Sequence, residues 1–161
     1  MQTLTKTVLL ASALFITIAS TTAHAQPNTQ TKTPATETQH IKEVILAYGR
    51  AMNASDVDGV LSLYTKDAVF MPARKPTATG LTQIKAAYEH EFKIIDLDVN
   101  IVFDEVVQNG NMAFARTRSE GQLNILETGK VVSTESYRAF FVLEKNDNTW
   151  KITRFLFNFT R

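Results

Sequence analysis

The chain of 161 residues contains no cysteine, so no disulfide staples it, no lipid-bearing thiol follows its leader, and stability has to come from burial. Charge of one sign is also missing. Seventeen Lys and Arg stand against sixteen Asp and Glu, a formal charge of +1, and without a basic run neither nucleic acid nor an anionic membrane surface is an expected partner. Long apolar runs are lacking too: the longest, from Val8 to Ala19, falls short of the ~20 residues that a bilayer-spanning helix needs. What that run does fit is a secretory leader. Lys6 precedes it and Ala23-His24-Ala25 supplies a small-x-small cleavage site, so residues 1–25 read as a signal peptide. Its removal takes away one Lys and no acid, which balances the remaining charge. The expected location is the periplasm or the medium, with no membrane association after cleavage.

Residues 26–38 are Gln-, Pro-, Thr-, Asn- and Lys-rich with almost nothing apolar, the composition of a flexible linker. Residues 39–161 form one domain, ordinary in being 44% hydrophobic and 20% charged over the whole chain. Thr36-x-x-Gln39 has the form of a capping box, and Ile41, Val44, Ile45, Tyr48 and Met52 follow at helical spacing. Ser55 and Asp56 cap a shorter helix whose Val57, Val60, Leu61 and Tyr64 share a face. Ala68 to Met71 reads as a short strand stopped by Pro72, with Asp67 as a turn residue before it. A third helix carries Leu81, Ile84, Tyr88 and Phe92 inward.

From Ile95 the period changes to two. Ile95, Leu97, Val99, Ile101 and Phe103 alternate with mostly polar neighbours, Asn109-Gly110 offers a turn, and a strand from Met112 to Leu126 follows. The last stretch, Tyr137 to Phe159, is a hairpin about Lys145-Asn146-Asp147-Asn148. One of its faces carries Tyr137, Ala139, Phe141 and Leu143, then Phe155, Phe157 and Phe159, an aromatic wall that the helices should cover. Helices followed by antiparallel strands indicate an α+β domain.

The element order and several segments resemble the nuclear transport factor 2-like superfamily, in particular its SnoaL-like branch, which includes ketosteroid isomerase-like members. The resemblance is carried by Asn53-Ala54-Ser55-Asp56-Val57-Asp58-Gly59-Val60, Leu63 through Pro72, Ala113-Phe114-Ala115-Arg116-Thr117-Arg118-Ser119, Phe141-Val142-Leu143, and Trp150-Lys151-Ile152 through Phe157-Asn158. It implies a cystatin-like cone: N-terminal helices packed in the concave face of a strongly curved, mixed, mainly antiparallel sheet, with an apolar cavity open at one end. It also implies the homodimer usual in that superfamily. In ketosteroid isomerases a helix-one tyrosine helps to form the oxyanion hole, and Tyr48 matches it. The general-base aspartate of those enzymes would fall at about Met71 and the second oxyanion-hole acid at about Ala139, so both acids are missing and steroid isomerisation is not expected.

Fourteen residues are candidates for the cavity. Tyr48, Met52, Tyr64, Phe70, Tyr88, Tyr137, Phe141, Phe155, Phe157 and Phe159 would line it, although rings at these spacings also serve as plain core. Phe114, the large apolar residue of its strand, shares parity with Arg116 and Arg118. The same face should therefore carry both guanidinium groups inward, with Glu135 across the sheet as their partner, unless both arginines sit at the solvent rim. An unpaired inward Arg would hold a carboxylate, enolate or phosphate. His40 and His90 occupy polar or helix-flanking positions and are expected to be solvated. Asp96 and Asp98 share no His or Cys cluster, so no metal site and no cofactor are expected.

Three readings of function follow. The chain is an exported protein that binds a small hydrophobic or weakly acidic molecule in an apolar pocket, without an assigned reaction. Alternatively it is an isomerase, cyclase or hydrolase using a tyrosine and an Arg–Glu pair. Third, it is a structural homodimerising module whose cone is filled by its own side chains and whose outer face, with Arg138, Phe140 and Val142, makes the contact. No catalytic residue is assigned.

Overall fold

A computed structural model describes residues 34–135 and 137–159. The expected signal peptide, and the linker as far as residue 33, lie outside the described residues. The linker was expected to run to residue 38, but its last five residues belong to the first helix. That helix, α1, spans Pro34–Asn53. Proline suits a helix start because its missing N–H would be unsatisfied there anyway, and Thr36 is consequently inside the first turn rather than a cap. Glu37 in that turn and Arg50 in the last complement the helix dipole.

Glu37 does more than that. It is only 5% exposed, and its carboxylate accepts hydrogen bonds from Trp150 Nε1 and Lys145 Nζ, each at 2.9 Å. The N-terminus of α1 is thereby fastened to the terminal hairpin.

A short helix, α2 (Val57–Ser62), is capped by Asp56, whose Oδ1 accepts the Gly59 N–H at 2.9 Å. It ends before Tyr64, which was expected on its apolar face and instead opens strand β1 (Tyr64–Met71). The two-residue strand β2 (Ala78–Thr79) leads into α3 (Gly80–Glu91), where Gln83 Oε1 reaches back to the Thr79 N–H. Five further strands follow: β3 (Ile95–Asn109), β4 (Met112–Ile125), β5 (Lys130–Ser133), β6 (Tyr137–Asn146) and β7 (Thr149–Phe159).

The sheet runs β2-β1-β7-β6-β4-β3, with β5 attached to β4, and among the described residues only the β1–β7 pairing is parallel. Its mixed, mainly antiparallel and curved form is the one anticipated. Bulges interrupt the ladders at Asp104 of β3 and Thr153 of β7, and such interruptions bend a sheet. Gly121 takes φ +142°, and a Cβ there would press on the Asp98 carbonyl and lie 2.9 Å from Val99 Cα, so β3 crosses closer than any side chain permits. α1 lies in the concave face: Ile41, Ile45 and Tyr48 share one core with Ala113 and Ala115 of β4, Phe141 and Leu143 of β6, and Ile152 and Phe155 of β7.

β4 is oriented opposite to the expectation. Ala113, Ala115 and Thr117 face the core, with Ala115 fully buried, while Phe114, Arg116 and Arg118 lie on the convex side. The large residue of a strand marks the inner face only when that face has room. Here Ala115 pairs with Phe141, whose ring meets Tyr48 at 5.5 Å, so the volume above β4 is already occupied. Phe114 stacks instead on Phe140 of β6, 5.5 Å away on the outer surface.

Candidate functional site

The helices and the sheet enclose a cavity of about 470 Å³. The third reading supposed a cone filled by its own side chains, and a cavity of this size favours the other two. Two steps position the aromatic floor. The pairing of β6 with β7 sets Phe141 beside Phe155, Ala139 beside Phe157 and Tyr137 beside Phe159, while β1 brings Phe70 against Phe155. The rings then contact in series, Phe141 to Phe155 at 4.4 Å, Phe155 to Phe70 at 5.3 Å and Phe70 to Tyr88 at 5.0 Å. Offset contacts of this kind add stability beyond the area they bury and fix the wall in place.

Of the fourteen candidates, nine border the cavity: Tyr48 and Met52 of α1, Phe70 of β1, Tyr88 of α3, Tyr137 and Phe141 of β6, and Phe155, Phe157 and Phe159 of β7. Tyr64 is buried but stands behind Tyr88, outside the lining. Four candidates are elsewhere. Phe114, Arg116 and Arg118 lie on the convex face, and Glu135 is exposed, its N–H donated to Ser133 Oγ at 3.4 Å. The arginines are also neutralised where they are. Arg116 meets Glu105 at 3.4 Å and Asp104 at 3.6 Å, and Arg118 meets Asp104 at 3.2 Å and Glu120. Their side chains are 56% and 46% exposed, so the expected inward Arg–Glu135 pair does not exist and cannot anchor an acidic group. The solvent-side alternative is the correct one, because a charged side chain reaches water at lower cost from the outside of a sheet.

At one end of the cavity three phenols form a chain, one from each of α1, β1 and α3. Tyr88 Oη lies 3.1 Å from Tyr48 Oη and 2.9 Å from Tyr64 Oη. Burial holds all three hydroxyls well above the usual tyrosine range, so they are neutral at any physiological pH; the Glu91 carboxylate adds to the effect at Tyr48. Two links among three hydroxyls consume two protons. The third proton is free to point elsewhere, and an acceptor placed in the cavity at Tyr48 or Tyr88 can receive it. At Tyr137 burial again raises the pKa, with Glu91 contributing.

Sequence reasoning missed several members of the wall. Lys75 and Glu91 form an ion pair bordering the cavity, and Gly49 lies so close to Ile101 that an added Cβ would stand 2.9 Å from its Cδ1. Thr117, Ser119 and Thr134 place hydroxyl residues along the sheet side. The signal for Thr117 was its parity with Ala113 and Ala115, small residues that mark the face on which a helix lies. No acid occupies either position expected for ketosteroid isomerase chemistry: Ala139 borders the cavity, and Met71 does not.

Helices seated in a curved sheet around an open cavity define the cystatin-like cone. Residues 45–155 match the SnoaL-like domain, which places this chain in the SnoaL-like family. Solved structures agree. A ketosteroid isomerase-like protein from Erwinia carotovora atroseptica is 29% identical, with a TM-score of 0.73 over 78% of this chain and 97% of that one. Two more distant structures show the same fold. A nuclear transport factor 2-like protein with a cystatin-like fold from Novosphingobium aromaticivorans is 18% identical, with a TM-score of 0.63 over 76% of this chain and 80% of that one. A domain of unknown function with a cystatin-like fold from Nostoc punctiforme is 19% identical, with a TM-score of 0.65 over 80% of each chain. No curated protein is a significant match to the sequence.

Proposed function

We propose that this chain is an exported receptacle for a small, mainly apolar molecule held in the cone, with no reaction assigned. The observation that carries the reading is the cavity itself: about 470 Å³, walled by stacked rings and aliphatic side chains, with a phenol cluster at one end. A concave apolar site with a few placed polar groups is the usual form of a small-molecule site. The anchor expected for a weakly acidic ligand is absent, since Arg116 and Arg118 lie on the outside, while Lys75 and Arg138 border the cavity. Native mass spectrometry of the chain recovered from its own cells tests the proposal. A small molecule released on collisional activation is the expected result, and a bare chain that also stays bare when mixed with N-phenylnaphthylamine, a neutral apolar fluorophore, refutes it.

One observation favours turnover as a second reading, the phenol proton available at Tyr48 or Tyr88, which could polarise a bound carbonyl. The Arg–Glu135 pair expected for that chemistry does not form, and both arginines lie on the convex face.

Two further elements belong to the proposal. The leader of residues 1–25 directs the chain to the periplasm or the medium; a mature N-terminus at Gln26 is expected, and an intact Met1 in the cell envelope fraction contradicts it. The convex face, where Phe114 and Phe140 stack beside exposed Leu156, forms a homodimer contact. Phe140→Glu should then shift the native mass from dimer to monomer, and an unchanged mass removes this face from the interface.

A further inference from the structure

Among the hydroxyl side chains on the sheet side of the cavity, Thr134 is unlike the others. It lies between β5 and β6, is 0% exposed, and its Oγ1 has no hydrogen-bond partner among the described residues. Its backbone is fully used: the N–H donates to the Gly121 carbonyl at 3.0 Å and the carbonyl accepts from the Tyr137 N–H at 2.8 Å. The turn would therefore form equally well with valine, which has the same shape and no polar atom to strand. A buried hydroxyl left alone is destabilising, so its presence calls for a partner the chain itself does not supply. Thr134 borders the cavity, and χ1 is the single bond about which its hydroxyl turns.

The second observation is its place relative to the phenols. Tyr48 packs on Phe141, which pairs with Ala115; Thr134 is bonded to Gly121, six residues further along β4. At the rise of an antiparallel strand, the spacing along β4 is about 20 Å. Between the two ends most of the lining is apolar; Thr117, Ser119, Tyr137, Glu127 and Arg138 are its other polar members, and the Lys75–Glu91 charges at the cavity satisfy each other.

We infer that Thr134 is a ligand anchor, and that the occupant is an elongated, mainly apolar molecule with a hydrogen-bonding group at each end. One end meets the hydroxyls of Tyr48 and Tyr88 and the other meets Thr134. The inference rests on the reading of the cone as a binding site and adds to it the class of molecule bound.

The test is displacement of N-phenylnaphthylamine from the full chain by two probes, a ten-carbon diol with hydroxyls at both ends and the matching ten-carbon alcohol. With a hydrogen bond at each end the diol comes close to the required span. Thr134→Val should weaken the diol roughly two- to tenfold relative to the alcohol, the equilibrium value of one net hydrogen bond. Thr134→Ser, which keeps the hydroxyl, should restore the difference, and unfolding midpoints of both variants confirm that they are folded. If the wild-type chain takes up no fluorophore, the binding-site reading falls and this inference with it. If it takes up the fluorophore but Thr134→Val shifts diol and alcohol equally, Thr134 is no anchor while the binding site stands.

Discussion

Replacing Tyr88 with Phe removes the middle hydroxyl of the phenol chain and strands the other two. Tyr64 Oη loses its 2.9 Å partner in a position away from the cavity, where no water reaches it, and Tyr48 Oη loses its 3.1 Å partner but borders the cavity and can be rehydrated. A stranded buried hydroxyl costs about 1–3 kcal/mol, and a lost bond whose partner is rehydrated costs about 0.5–1.5 kcal/mol, so Tyr88→Phe should destabilise by roughly 2–4 kcal/mol. Tyr64→Phe leaves Tyr88 bonded to Tyr48 and should cost only about 1 kcal/mol. The triple replacement of Tyr48, Tyr64 and Tyr88 by Phe leaves nothing stranded. It should be less destabilised than Tyr88→Phe alone, because an apolar set of the same shape has no unsatisfied group. Equilibrium unfolding in urea, with the slope checked for constancy, measures all three. A Tyr88→Phe cost below about 0.5 kcal/mol, or a triple variant worse than the single, would refute the hydrogen-bonded chain.

Because the folded-state pKa values of Tyr48, Tyr64 and Tyr88 are raised above the unfolded value, their contribution to stability is complete below about pH 10 and is lost as pH rises beyond it. Tyrosinate absorbance should therefore appear together with unfolding in an alkaline titration, and ionisation of these three in the folded chain would contradict their burial. Gly121→Ala should destabilise by more than about 2 kcal/mol, since it combines φ +142° with a clash on the β3 backbone; a midpoint within error of wild type would show that β3 and β4 do not approach that closely at Gly121. Arg116→Met, on the convex face, should change stability by less than about 1 kcal/mol and leave fluorophore uptake by the cavity unaltered; a loss of uptake would return this residue to the site.

Much of the architecture was legible because periodicity reports which face is buried. The stripe Ile41, Val44, Ile45, Tyr48 gave α1, alternation from Ile95 gave β3, and the two aromatic runs gave the terminal hairpin with its inner face correct. Periodicity failed where both faces of a strand are plausible. On β4 one face holds Ala, Ala and Thr and the other holds Phe, Arg and Arg, and the choice depends on how closely Tyr48 and Phe141 approach, which is tertiary information. The position of Tyr64 was misplaced for a related reason, since a residue just past a short helix continues its apolar spacing into the next strand. At the site, ring positions could be read but hydroxyl partners could not. The phenol chain joins residues from three elements, and Thr134 Oγ1 stands out by lacking a hydrogen-bond partner among the described residues, which no sequence pattern encodes.

The central claim is that the cone is hollow and accepts an apolar guest, and titration of N-phenylnaphthylamine into the wild type and into Ala139→Phe tests it most directly. Ala139 borders the cavity beside Phe157, so the added ring occupies the guest's place. Saturable uptake of one fluorophore per chain by the wild type and none by a folded Ala139→Phe chain is the predicted result. No uptake by the wild type, or equal uptake by both, would contradict the account.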